Sequence, residues 1–469
     1  MSERIIINPL TRISGFMEID VTVQNNIVIA AKTSGLLFRG FERMLEGRNP
    51  FDAVYFTQRI CGICSAAHSM ASTLALEDAL NIVPTQQGRY LRDIIHGCEF
   101  LQNHLRHFYQ YTIPDFVKMP QNMPFYESDH NDFRLPESKN AILVEHYFKS
   151  LEISRLAHEM LAVFGGKAPH NHGVFLGGIT TQPTTDKIIK IKSILNTIKN
   201  FIINCMIPDV QLLAQYYNDY FKMGVGYGNL LSFGCFNDYK SLGTLYVNPS
   251  VYSGGSINKF EEAKITEDID YSWYIGNKQV YKPNEELPKA DMKKEKAYTW
   301  IKAARYDGMP YEVGPLARMS LSREYSNGIS MMDRTIARVL EAKKIADIIS
   351  ILLDNVIPGV DSQEKYTIPN SAEGRGLIDT TRGALGHWLK IENGVLAFYQ
   401  VITPSVWNLS AQDNAFNGTV EMALLGTVIH DMKKPVELGR IIRSFDPCVS
   451  CATHVYVPGQ QVMTLNVMP

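Results

Sequence analysis

Four of the chain's seven cysteines fall into two pairs, Cys61/Cys64 in "RICGICSAAH" and Cys448/Cys451 in "DPCVSCATH". A CxxC turn aims two sulfurs at one point, and two such turns together make a four-thiolate pocket that selects soft or borderline metals. Each pair is trailed by a histidine, His68 and His454. A single CxxC has plainer readings, half of a structural zinc site or a dithiol redox pair. Paired zinc motifs usually lie about 15–20 residues apart, whereas these stand near opposite ends of the chain. Neither follows the strand of a thioredoxin-like βαβ unit. A lone histidine is more often a packing or hydrogen-bonding group than a ligand. Cys98, Cys205 and Cys235 are single and scattered, so no disulfide framework is expected.

The fold must bring those two ends together. "MEIDVTV" (Met17 to Val23) alternates apolar and polar residues as a half-buried strand does. "QNN" is a turn and "IVIAAK" the returning strand, giving a β-hairpin region within residues 1–35. Beyond residue 65 apolar residues recur at helical spacing in "AAHSMASTLALEDALNI" and "GRYLRDIIHGCEFLQNHLRHFYQY". They do so again over about 140–163, 184–221 and 328–356. Residues 228–300 are richer in Gly, Tyr, Ser and Asn and read as short strands and loops. "GVLAFYQVI" is a further strand candidate. The reading is a mainly helical α+β body with small sheets toward both ends. No internal repeat or low-complexity linker divides it.

The totals narrow the function classes. The chain has 469 residues, 45% of them apolar, ample for a large buried core. A formal net charge of −2, without a run of Lys or Arg, argues against nucleic-acid binding. No stretch of 18 apolar residues could span a membrane, and "MSERIIINPL" has no signal-peptide pattern. A cytoplasmic, membrane-associated or exported location would then be set by a partner. "GVFLGGITT" lacks the spacing of a nucleotide-binding loop.

"RxCGxCxxxH" and "DPCxxCxxH" resemble the paired signatures of the nickel–iron hydrogenase large subunit. "FRGFE" (Phe38 to Glu42), "GGKAPH" (Gly165 to His170), "RGALGHW" (Arg382 to Trp388), "PSVWN" (Pro404 to Asn408) and "GRIIRSFDPC" (Gly439 to Cys448) resemble family segments in the same order, across essentially the whole chain. The resemblance implies that fold, with a central helix bundle, and reversible cleavage of dihydrogen to protons and electrons. All four cysteines would bind nickel, Cys61 and Cys448 terminally, while Cys64 and Cys451 would also bridge to an iron carrying carbon monoxide and cyanide. Cys448, where selenocysteine could stand, places the chain with the plain nickel–iron enzymes.

The chemistry of dihydrogen gives further residues their implied roles. It is apolar and a very weak acid, so a base must sit beside the metal, and Cys448 is the candidate. Arg382 would act electrostatically toward the open coordination side. Pro404 and Ser405 would flank the cyanides, Ser405 donating a hydrogen bond. Arg59, His68, Asn103 and Asp446 would surround the cysteines. Glu42, His454 and the Val401 carbonyl would hold magnesium, which favours hard oxygen donors and retained waters. With no further cysteine cluster, the electrons would need an iron–sulfur small subunit.

Residues 455–469 follow His454 as an uncharged tail. An ordinary terminal strand is the plain reading. The resemblance implies an extension that a maturation protease removes between His454 and Val455 after nickel-insertion proteins have loaded the site, leaving a single 1–454 body. A hydrogen-sensing relative is the alternative function, though such sensors typically lack this tail.

One stretch departs from the family pattern. Where it usually reads "TRIEGH", with a proton-carrying Glu, this chain has Ser14 and Phe16. Asn103 stands where an acid is frequent, and Thr381 replaces a usual Pro. A serine hydroxyl passes a proton along but cannot store one as a carboxylate does. If 14–18 is one strand, Glu18 shares Ser14's face but lies about 13 Å further along.

Overall fold

A computed structural model describes residues 2–120, 130–360 and 366–452, the last two of these by backbone alone. The expectations for His454, Val455 and the 455–469 stretch, and for the Cys451 side chain, lie outside the described residues.

The N-terminal alternation forms a sheet of β1 (Ser2–Ile7), β2 (Met17–Gln24) and β3 (Ile27–Gly35). Met17, Ile19, Val21 and Val23 are buried and their neighbours are not, as a one-sided strand requires. Asn25 and Asn26 both take positive φ, the geometry that a two-residue turn between right-twisted strands demands. β1 pairs with the other edge of β2, so the expected hairpin is three-stranded. Residues 8–16 are not strand. Arg12 and Gly15 have φ of 57° and 95°, which breaks any extended run, so Ser14 and Glu18 do not share a strand face.

After α1 (Phe41–Leu45) comes α2 (Ser65–Leu80), the central helix. It is alanine-rich and buried almost all round, so it has no polar stripe. It stops at Asn81, whose left-handed conformation closes the last turn. α3 (Gln86–Arg106) begins at Thr85, whose hydroxyl accepts the Gly88 N–H, and continues as a π-helical turn over His107–Thr112. α4 (Glu137–Gly165), α5 (Thr185–Phe201) and α6 (Met331–Asn355) complete a bundle with α3 in which each helix packs on two others. A reciprocal Ser330–Asp333 capping box starts α6. Residues 228–300 form short paired strands, as expected.

The C-terminal part contributes a meander of β4 (Ser371–Thr380), β5 (Gly383–Glu392) and β6 (Val395–Ile402). β4 lies against α2 at very close range. A Cβ at Gly374 or Gly376 would collide with the carbonyl oxygens of Ala75 and Ala71, so glycine facing alanine permits the contact. Short helices follow, among them α7 (Pro404–Asn408), α8 (Val436–Ser444) and α9 (Val449–Ala452). The second CxxC opens α9, which packs on α7.

Candidate metal centre

The two ends of the chain meet at the cysteines. Cys61 is extended between a 3-10 turn and α2, Cys64 caps α2, and Cys448 precedes α9. The Cys61 and Cys448 sulfurs lie 3.2 Å apart. The sulfurs of Cys61, Cys64 and Cys448 all fall within 4.8 Å of one another and are buried; among the described residues no other cluster of three metal-ligating side chains forms. Three soft donors converging out of water are a donor set that fits a soft or borderline metal, nickel among them.

Two devices hold this convergence. The guanidinium of Arg39 donates to the carbonyls of Arg59 and Ile60, just before Cys61, and to that of Ser450, inside the second CxxC. The loop over residues 8–16 clamps the second motif from outside. Ser14 N–H donates to the Pro447 carbonyl at 3.2 Å, and Val449 N–H donates to the Ser14 carbonyl at 2.7 Å. A side chain at Gly15 would meet Ser450 N at 2.7 Å, so only glycine allows the approach. Ser14 Oγ then lies 3.6 Å from Cys448 Sγ. Glu18 instead accepts from the Asn8 amide near the surface.

Arg382 projects from the two-residue turn joining β4 to β5. Its Nε donates to the Asp446 carbonyl, and Nη2 lies 3.0 Å from Asp446 Oδ1 as an ion pair. The alignment of that pair is poor, and neither Nη1 nor Nη2 completes a hydrogen bond among the described residues. Burial opposes its charge, but Asp446 and the Cys448, Cys64 and Cys61 sulfurs keep Arg382 firmly protonated. Asp446 also accepts from Asn103 Nδ2 at 2.7 Å and from Arg338. Burial would raise its pKa, but Arg382, His107 and Arg338, with the Asn103 amide, hold it well below the usual carboxylate range. Asn103 thus donates where an ionised carboxylate could only accept. Thr381 turns its carbonyl to Arg318, and its hydroxyl has no partner among the described residues.

A small cavity opens between these groups, lined by Cys64, His68, Arg382, Pro404, Ser405 and Cys448. Ser405 Oγ accepts the Cys448 N–H at 3.0 Å, which leaves its own hydroxyl proton to donate. His68 meets His387 at 3.2 Å, and His387 meets the Tyr399 hydroxyl at 2.8 Å. Burial, offset partly by Cys61, lowers His68 to about 4, so it is neutral at ordinary pH. Arg59 departs from expectation. It is exposed, and its charge acts on His170. Glu42 does sit beside Val401, but it meets the Val401 N–H, at 3.0 Å. Burial raises Glu42 to about 7 against the pull of Lys302, which itself binds Glu267. Sequence reading gave Arg39 no role, although it lies within "FRGFE". Its signal was position alone, three residues before Glu42.

A family model described as nickel-dependent hydrogenase matches residues 39–125, 120–328 and 320–454. The chain belongs to the nickel-dependent hydrogenases. It is 35% identical to the periplasmic [NiFeSe] hydrogenase large subunit of Desulfomicrobium baculatum, over 96% of this chain and 95% of that protein. It is 30% identical to the quinone-reactive Ni/Fe-hydrogenase large chain of Wolinella succinogenes, over 97% and 96%. The Ni-Fe-Se hydrogenase of D. vulgaris Hildenborough in its reduced state superposes with a TM-score of 0.93 at 35% identity, covering 97% of this chain and 100% of that one. The chain is therefore a hydrogenase catalytic large subunit with the large-subunit fold, and its nickel chemistry has a buried cysteine cluster to occupy. No helix of this hydrogenase, among the described residues, is long and apolar enough to cross a membrane.

Proposed function

We propose that this hydrogenase cleaves dihydrogen heterolytically and reversibly at a nickel–iron centre held by Cys61, Cys64, Cys448 and Cys451. The observation that carries the reading is the convergence of Cys61, Cys64 and Cys448 from opposite ends of the chain within 4.8 Å, beside an Arg382 whose Nη groups complete no hydrogen bond among the described residues. When bound, the centre supplies the electron sink and polarises dihydrogen. The protein supplies the rest. Cys448 is the base that takes the proton, and its N–H is already fixed by Ser405. Arg382, locked by Asp446, sets a permanent positive field over the cavity. Ser14 is the first hydroxyl beyond Cys448 and passes the proton toward the 8–16 loop.

Pro404 and Ser405, which line the cavity, would flank the iron's diatomic ligands, with the Ser405 hydroxyl available to donate. Glu42 and His454, with the Val401 carbonyl, would hold magnesium. An iron–sulfur small subunit accepts the electrons, in keeping with relatives named as large subunits or large chains. Residues 455–469 are an extension that maturation removes after His454. The selenium in some relatives' names does not carry over, since Cys448 is cysteine.

The test is nickel and iron content together with hydrogen-dependent reduction of an artificial electron acceptor. Each of Cys61→Ser, Cys64→Ser, Cys448→Ser and Cys451→Ser should abolish both metal retention and turnover. A fully active Cys451→Ser enzyme would remove the four-cysteine centre from the account.

A further inference from the structure

Ser14 is carried by the 8–16 loop, which is not strand, so side chains must help to fix its place beside Cys448. Arg12, two residues before Ser14, holds a left-handed φ of 57°, which a non-glycine residue keeps only where its surroundings impose it. Its guanidinium supplies that constraint. Nη1 donates to the Tyr111 carbonyl at 2.7 Å, in the π-helical turn after α3, and Nη2 to Asp115 Oδ1 just beyond. Asp115 is buried, and it also holds the approach to the second CxxC. Arg443 on α8 spans both its oxygens, Nε to Oδ2 and Nη2 to Oδ1, each at 2.7 Å. The third arm of Arg443, Nη1, donates to the Thr11 carbonyl at 3.0 Å and so grips the loop as well. Arg440, one turn earlier on α8, donates through Nε to the Asp115 carbonyl at 3.0 Å. Burial would raise the Asp115 pKa, but the Arg12 and Arg443 charges hold it well below the usual carboxylate range, so it is ionised. α8 ends at Ser444, and the chain continues to Asp446 and Cys448. One carboxylate therefore ties the loop that carries Ser14 to the helix that leads to Cys448.

We propose that Arg12 is a positioning residue of the proton route: locked on Asp115 and Tyr111, it holds the loop so that Ser14 Oγ stays 3.6 Å from Cys448 Sγ. The inference rests on the Ser14 route proposed above. Arg12 does not relay the proton itself, because a guanidinium keeps its charge, so it acts only through the loop. Asp115 retains Arg443 when Arg12 is replaced, so the substitution leaves no buried charge unpaired.

The test compares Arg12→Ala, Ser14→Ala and the double variant with wild type, each as loaded enzyme carrying its small subunit. The readouts are nickel content, enzyme-catalysed hydrogen–deuterium exchange, and protection of the Ser14 and Val449 amides against exchange with solvent. The expected result is wild-type nickel in every variant, catalysed exchange about tenfold slower in Arg12→Ala, weaker protection of both amides, and a double variant no slower than Ser14→Ala alone. Arg12→Ala with the wild-type rate, in an enzyme that Ser14→Ala slows, would overturn the proposal, as would both amides protected as in wild type. Losses that multiply in the double variant would overturn it too, because Arg12 would then act independently of Ser14. If Arg12→Ala does not load nickel, Arg12→Gln, which keeps the bulk without the ion pair, decides by the same comparisons. Ser14→Ala at the wild-type rate would overturn the Ser14 route first, and Arg12's role in it as a consequence.

Discussion

At the scale of single residues, the proton path turns on Ser14. Its hydroxyl lies 3.6 Å from Cys448 Sγ, and the loop that carries it is bonded on both sides of that cysteine. Ser14→Ala should slow hydrogen–deuterium exchange on the order of 10²-fold, the low end for losing a proton-transfer group. Exchange at the wild-type rate in that variant would close this route. Ser14→Glu should be faster than wild type if proton transfer limits turnover. A second residue-scale expectation concerns acid. His96 is fully buried against Phe100 and Phe236, and burial, with the Arg318 charge, lowers it to about 3. Its unfolded value is near 6.5. Below that pH the unfolded chain takes a proton that the folded chain refuses, so His96's contribution is lost as pH falls from 6.5 toward 3. In His96→Leu, the stability of the metal-free chain should fall less steeply with acid, by about 1.4 kcal/mol per pH unit. Denaturant unfolding between pH 6.5 and 4.5 measures that slope, and an unchanged slope would contradict it.

At the scale of elements, the centre depends on how closely β4 lies on α2, because α2 carries Cys64 and the β4–β5 turn carries Arg382. Gly376→Val should force that pair apart at a cost of about 1–3 kcal/mol and weaken nickel retention. A thermal melt of the metal-free chain and nickel content of the loaded enzyme check the two effects, and a variant unchanged in both would show that the contact is slack. The sequence made α3 and β2 readable because each has an uninterrupted helical or alternating pattern, and α2 readable through its run of helix-favouring alanines and leucines. β5 escaped because nearly every residue from Gly383 to Ile391 is buried, which erases the period-two signal. The strand considered over 14–18 is broken at Gly15, whose residue type does mark the bend, whereas the positive φ of nearby Arg12 has no mark in its residue type.

At the scale of the whole molecule, motifs near the two ends of the chain come together at one buried point. The pairing of the CxxC motifs was legible from their composition, but the clamp between them was not, because hydrogen bonds from Arg39 to backbone carbonyls leave no pattern at the accepting residues. Arg39→Ala should leave the fold intact but loosen the joint, seen as faster nickel loss to a chelator, whereas wild-type loss would assign the clamp no role in holding the site. Arg59 misled for a related reason, since adjacency to Cys61 in sequence did not bring its side chain inward. The central claim is that nickel sits on thiolates from both ends of the chain. X-ray absorption at the nickel edge, on wild-type enzyme and on Cys61→Ser and Cys451→Ser, tests it most directly. The prediction is an all-sulfur protein ligand set in the wild type and loss of nickel in either variant, while nickel bound through nitrogen or oxygen donors, or retained without Cys451, would contradict it.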